Sequence, residues 1–466
     1  PITTKKEKHL ALTPNEVITP ITPDNYYLSP QNKQIMIQKT IQQAFAQLKQ
    51  SPFISAINVV GTALAIFLIM LVVMMQQVKT APFSPESNRD RFLHVRFASL
   101  RNKNWGDGSS NGPMSAQTAK ELYKSLKTPE AVTAYGVISF AVPFSMPGQA
   151  ATTFDMRQTD DAFWQVFDFR FTEGKPYDKA TFDAAIPVAV VCETVARQLF
   201  GTAQGVVGKE FLLNHAPYKV CGVVKDVSPL ADLAYGQAWI PYTAGGMNNQ
   251  QWNDGLMGML SCTILAKERD DFPIIREECD RRMAEYNKII SENNWEFFSR
   301  NRPYDQEQAS ISLNALQEPD VTAHRRQQFV IFAILLLVPA INISSMTQSR
   351  LRQRVSEIGV RRAFGSTRTE LMMQIVAENF IITLIAGVLG LLLSVVFAYV
   401  GNEFLFAQPQ SQTLNPPVVD ASILLQPDTF LWALFFCFVL NLLSSGIPAW
   451  RASRIGIVSA LGGRLH

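Results

Sequence analysis

Phosphate chemistry needs a glycine-rich loop that ends in Lys followed by Ser or Thr, so that backbone amides cradle the phosphates and the hydroxyl holds magnesium. The chain offers two Gly-Lys pairs, and Pro176 follows Gly174-Lys175 while Glu210 follows Gly208-Lys209. Neither can be a P-loop. The histidines (His9, His94, His215, His324, His466) are scattered, and no Cys or His pair has a metal-ligand spacing. A serine nucleophile elbow is also missing, and the isolated carboxylates read as solvated surface. No catalytic residue, metal site or cofactor is therefore expected in these residues. The net charge of +3 gives no reason to expect a nucleic-acid partner.

The residues that do carry information lie in one Arg-rich run, from Arg352 through Glu357-Ile-Gly-Val-Arg361-Arg362-Ala-Phe364-Gly365 to Glu370. It predicts a short amphipathic helix stopped by Gly365, then a second helix with Thr367 as N-cap and Glu370 three positions on, a capping box. A rigid helix–turn–helix with exposed Arg and one Glu can dock into a partner's groove and pass force into the following helix. The bland alternative is a basic loop that only fixes topology.

Four apolar windows without Lys, Arg, Asp or Glu position this run, at about Gln50–Val78, Gln327–Ser349, Asn379–Asn402 and Thr429–Trp450. Each is long enough to cross a bilayer. Their lack of charge disfavours an ion-coupled transporter, because intramembrane charges mark ion paths. Basic residues cluster before the first window (Lys5, Lys6, Lys8, Lys33, Lys39, Lys49), between the second and third (Arg350, Arg352, Arg354, Arg361, Arg362, Arg368) and after the fourth (Arg451, Arg454, Arg464). The 403–428 loop has none. The positive-inside rule then puts both termini in the cytoplasm and the polar body outside.

The expected organisation is a membrane protein of four transmembrane α-helices (1+3), with a large α/β extracytoplasmic domain of two subdomains between the first and second. A disordered cytoplasmic leader covers 1–33 and an amphipathic interfacial helix 34–50, carried by Ile37, Ile41, Phe45 and Leu48. The spans fall at 51–78, 327–349, 371–402 and 429–450, the outer domain at 79–326, the coupling segment at 350–370, a short outer loop at 403–428 and a tail at 451–466. Within the outer domain, strands are expected at Pro187–Val191, Glu210–Leu213 and Tyr218–Val224, with helices at Glu193–Phe200 and Phe272–Lys288. Phe163, Trp164, Phe167, Phe169 and Phe171 read as core, and Cys192 and Cys221 as buried thiols. Small residues four apart, Gly61 with Ala65 and Ala386 with Gly390, are candidates for close helix packing.

The run from Glu357 to Thr367, with Gln374-x-x-x-Glu378 and Gly387-x-x-Gly390, resembles MacB/FtsX-type permeases of ABC transporters, as does Pro448-Ala-Trp-Arg-Ala-Ser-Arg through Ala460-Leu461. In the outer body, Ala189–Gly201, Val207-Gly-Lys and Tyr218–Asp226 are similar to that family's extracytoplasmic domain. The resemblance implies a permease in the bacterial inner membrane and a separate ATPase subunit, with ATP and Mg bound there, docking on Glu357–Gly365 with Glu357, Ile358, Gly359, Arg361, Arg362, Phe364 and Gly365 as the coupling contact. It further implies a second permease copy or paralogue, and mechanotransmission to the outer domain. Export with a periplasmic adaptor and outer-membrane channel is the favoured use. A regulatory scaffold that activates a cell-wall hydrolase is the alternative.

Overall fold

The computed structural model describes residues 52–312, 314–401 and 427–454, together with Gln42 and Lys49. The expected leader, most of the interfacial helix, nearly all of the short outer loop and the tail beyond Arg454 lie outside the described residues.

Four long helices span the membrane: α1 (Pro52–Thr80), then, after the outer body, α5 (Val321–Gln353), α7 (Arg368–Val400) and α8 (Pro427–Ser453). Helix α7 packs on both α1 and α8, and α5 lies against α8 and α1. Ile66, Ile69, Met70, Ala340, Phe436 and Leu440 form the shared core. The share of its most apolar stretch that is buried within the chain is 50% for α1 and 6% for α5. Among the described residues, α5 is thus the span with the greatest uncovered apolar face.

The body between α1 and α5 contains strands β1 (Phe92–Val95), β2 (Ala98–Asn102), β3 (Ser109–Gly112), β4 (Ala131–Gly136), β5 (Phe140–Ser145), β6 (Thr152–Thr159), β7 (Phe171–Gly174), β8 (Val188–Cys192), β9 (Glu210–Leu213), β10 (Ala216–Val224), β11 (Ala238–Pro241), β12 (Leu260–Leu265) and β13 (Trp295–Phe297). Ten of them make one sheet in the order β1-β12-β4-β6-β11-β8-β10-β9-β5, with β7 on β10. Strand β5 also pairs with β6, so β6, β11, β8, β10, β9 and β5 close a ring. Closure leaves those strands without free edges. Strands β13, β2 and β3 form a small separate sheet.

Two hydrophobic cores fill this body, which accounts for its two subdomains. The first sits inside the ring, where Phe144, Phe154, Phe211, Val190 and Val223 meet beneath helix α2 (Glu193–Phe200). Phe163 and Phe167 are fully buried there, with Trp164, Phe169 and Phe171 around them, and the Phe169 and Trp239 rings lie 5.0 Å apart. The second core lies under helix α3 (Phe272–Ile290), which turns Ile275, Cys279, Tyr286 and Ile290 inward at helical spacing. Met74 and Val78 from α1 reach into the first core, so the first span and the body share packing.

Cys192 is buried and Cys221 half-buried, and neither is bonded to another cysteine. Burial raises both thiols, Cys221 to about 12, so they are inert at neutral pH. Gly174 closes β7, and a Cβ there would fall 2.3 Å from the Cys221 carbonyl oxygen. This glycine serves strand packing.

Candidate functional site

The Arg-rich run lies at the end of the spans remote from the body. Arg354 breaks the helix after α5, and α6 (Val355–Ala363) follows as a separate short helix. Gly365, at φ +97, makes the turn into α7 in a region that disfavours side chains. Thr367 Oγ1 accepts from the Glu370 amide and Glu370 returns a bond to the Thr367 amide, completing the capping box. Each boundary is thus fixed by local chemistry.

Five side chains then join α6 to α7 in a closed ring. Arg354 donates through Nε to Glu357 Oε2 at 2.8 Å and through Nη1 to Glu378 Oε2 at 3.0 Å. Arg361 donates to Glu357 Oε1 at 2.6 Å and to Gln374 Oε1 at 2.8 Å. Gln374 Nε2 closes the circuit on Glu378 Oε1 at 2.9 Å. Two guanidinium groups balance two carboxylates, and the Glu378 side chain is 3% exposed, where ion pairing is strongest. Arg354 holds the Glu357 carboxyl below the usual carboxylate range. Beneath the ring, Ile358 packs with Leu351, Leu371, Ile375, Ala449 and Ala452.

The geometry places the residues of the run on different faces of α6. Arg361 reaches Gln374 on α7, Glu357 bridges Arg354 and Arg361 with its side chain 42% exposed, and Ile358 and Gly359 are buried. Phe364 is 89% exposed, and Val360 is exposed beside it, so α6 presents apolar side chains outward. Arg362 is half-buried, and Gly365 supplies only the turn.

The body end carries a second set of linkages. The buried ion pair Glu86–Arg89 sits just beyond α1, with Arg89 Nε 2.7 Å from Glu86 Oε2. Arg89 also donates to the carbonyls of Val78 and Ala81, which the end of α1 would otherwise leave unpaired, and to that of Leu230 in the body. Glu86 Oε1 accepts the amides of Leu233 and Ala234. Helix α4 (Gln306–Ile311) lies between the body and both spans. Its first three side chains fan outward: Gln306 meets His94 and the Lys79 carbonyl, Glu307 pairs with Arg325 of α5, and Gln308 accepts from Arg276 of α3.

Residues 55–281 match the MacB-like periplasmic core domain and residues 329–457 the FtsX-like permease C-terminal domain. The chain belongs to the MacB/FtsX-type family of ABC-transporter permeases. It is 24% identical over 304 residues to the macrolide export ATP-binding/permease protein MacB of Escherichia coli (strain K12), and equally to that of Shigella flexneri. The match covers 64% of this permease, which spans 42% of the length of those relatives. Among solved structures it is similar to the periplasmic region of MacB from Actinobacillus actinomycetemcomitans (16% identity, TM-score 0.31, covering 44% of this chain and 89% of that one). The extracellular domain of the noncanonic ABC-type transporter YknZ from Gram-positive bacteria gives 13% identity and a TM-score of 0.30, covering 44% of this chain and 100% of that one.

Helix packing in the permease departs from the expected pairs in one place. Gly390 presses on α1, where a Cβ would lie 2.5 Å from the Ala63 carbonyl oxygen, and Ala386 is buried. Ala65 is buried too, but Gly61 is exposed with nothing within 4 Å of a Cβ position. The face of α1 that meets α7 therefore runs through Ala63 and Ile66. Asn441 of α8 donates to the Val376 carbonyl of α7 at 3.2 Å.

Proposed function

We propose that this chain is a mechanotransmission permease, in which an ABC ATPase pushes on Phe364 and Val360 and the push reaches the outer body through α5. The closed ring from Arg354 to Glu378 carries this reading. It fastens α6 to α7 at the point where α5 ends, so a load on α6 has no soft joint through which to dissipate. At its other end α5 meets α4, which touches β1, α3 and α1 together. In this reading the termini and α6 are cytoplasmic and the body is periplasmic, as the basic clusters imply. The uncovered apolar face of α5 suits lipid or a second permease copy.

Export is the favoured use, since the relatives are named for macrolide export and the two-cored body is larger than a tether needs. The test is ATPase stimulation in reconstituted membranes. Phe364→Ala should abolish stimulation while leaving thermal stability within about 0.5 kcal/mol. Glu357→Lys should abolish it by opening the ring. Unchanged stimulation in both variants would overturn the coupling role. Substrate transport by the wild type, against activation of a wall hydrolase, separates export from regulation.

A further inference from the structure

A cavity of about 380 Å³ opens where α1 meets the body, lined by Val78 and Lys79 from the end of the span, by His94, Arg96 and Phe97, and by Arg302. Its volume is that of a small-molecule site. Its level is set by the membrane, because Val78 and Lys79 end an apolar span and the headgroup layer begins there.

The charge lining it is unbalanced. Glu86 and Arg89 cancel one another in their buried pair, and Arg96 lies 3.7 Å from Asp232. Lys79 and Arg302 remain. The Arg302 side chain is buried, yet the oxygens it reaches are uncharged: Ser99 Oγ at 3.0 Å and the Ala315 carbonyl at 2.6 Å. A buried guanidinium without a carboxylate among the described residues calls for an anion.

His94 adds a second unmet group. It is 4% exposed, and Nε2 lies 2.8 Å from Gln306 Oε1, whose amide nitrogen is occupied by the Lys79 carbonyl. Nε2 therefore carries the proton, and Nδ1 is a lone-pair acceptor. That atom is buried and has no hydrogen-bond partner among the described residues.

We propose that this cavity binds the headgroup of an anionic glycerophospholipid from the leaflet on the body's side, with its phosphate between Lys79 and Arg302. Val78, Phe97 and Leu233 supply the apolar wall that the glycerol backbone and first acyl carbons need. The proposal rests on the span topology and stands apart from export.

The permease is purified in mild detergent with equal phosphatidylglycerol and phosphatidylcholine, and retained lipid is read by native mass spectrometry. A phosphatidylglycerol adduct should survive, and Lys79→Glu should lower its occupancy roughly tenfold. Lys79 is exposed and among the described residues its side chain makes no bond, so that variant should fold. Arg96→Glu, also at an exposed position, gives a second reading if it does not. Equal retention of the two lipids, or undiminished phosphatidylglycerol in the folded variants, would overturn the proposal. Displacement of the adduct by soluble glycerol phosphate at millimolar concentration would support the headgroup chemistry. Saturable binding of glycerol phosphate with no retained lipid would overturn the lipid source.

Discussion

The two spans that carry the outer body are attached to it in opposite ways. Helix α1 is welded: Met74 and Val78 sit in the body's first core, and Arg89 ties the last carbonyls of α1 to a pair whose side chains are 3% and 0% exposed. Helix α5 is hinged. Glu307 pairs with Arg325 in two bonds of 2.6 and 2.5 Å, but the two side chains are 37% and 67% exposed. A buried pair resists separation because breaking it strands a charge away from water, whereas an exposed pair exchanges cheaply with solvent. In this account α1 is the frame that holds the body to the bundle, and α5 is the arm that moves it. The arm is also the span that leads straight into the ring at Arg354.

Breaking the weld should cost the most. Arg89→Ala strands the Glu86 carboxylate and frees the end of α1, at about 3–5 kcal/mol. Thermal unfolding of the purified permease should show the loss. A loss under 1 kcal/mol would mean that α1 is held by packing alone.

The weld also lies beside a titrating group. Burial is the main cause that pulls the His94 imidazole down to about 4, from 6.5 in the unfolded chain. Between these values the unfolded state binds the proton and the folded state does not. The stability is thus fully present above pH 6.5 and lost as pH falls toward 4, by on the order of 3 kcal/mol. Unfolding measured across that range should show this slope, and His94→Gln should flatten it. An equal slope in the variant would place the titration elsewhere.

The spans, the capping box at Thr367 and Glu370, α2 and the inward stripe of α3 were all legible in the sequence, because each follows from residues within a few turns of one another. Arg354, Glu357 and Arg361 also stand at helical spacing, so their common face was readable. Their partners Gln374 and Glu378 were not, since nothing local says that α6 folds back on α7. The closed ring of strands was hidden for the same reason. Helix α4 left only the capping box of Asp305 and Gln308 as a sign, and its role was hidden: it has six residues, and Gln306 reaches Lys79, which is 227 positions away. Gly61 shows the opposite failure. A small residue every fourth position gives the spacing of a packing face but not its direction around the helix, and the face that meets α7 runs through Ala63.

The smallest effect on stability should come from the hinge. Glu307→Gln removes an exposed pair and should cost under about 1 kcal/mol, while weakening the ATP-driven response of the body. Substrate transport and thermal unfolding measured on the same preparation separate the two. A large stability loss without a change in transport would make α4 a structural brace.

The central claim, that force enters at Phe364 and leaves by α5 while α1 stays fixed to the body, is open to one distance measurement. Spin labels at Lys79 and Ala323 report the body ends of α1 and α5, and labels at Lys79 and Gln198 report α1 against the body. With the ATPase present, ATP should change the Lys79–Ala323 distance, leave Lys79–Gln198 constant, and change neither in Phe364→Asp. A shift in Lys79–Gln198 with Lys79–Ala323 unmoved would contradict it.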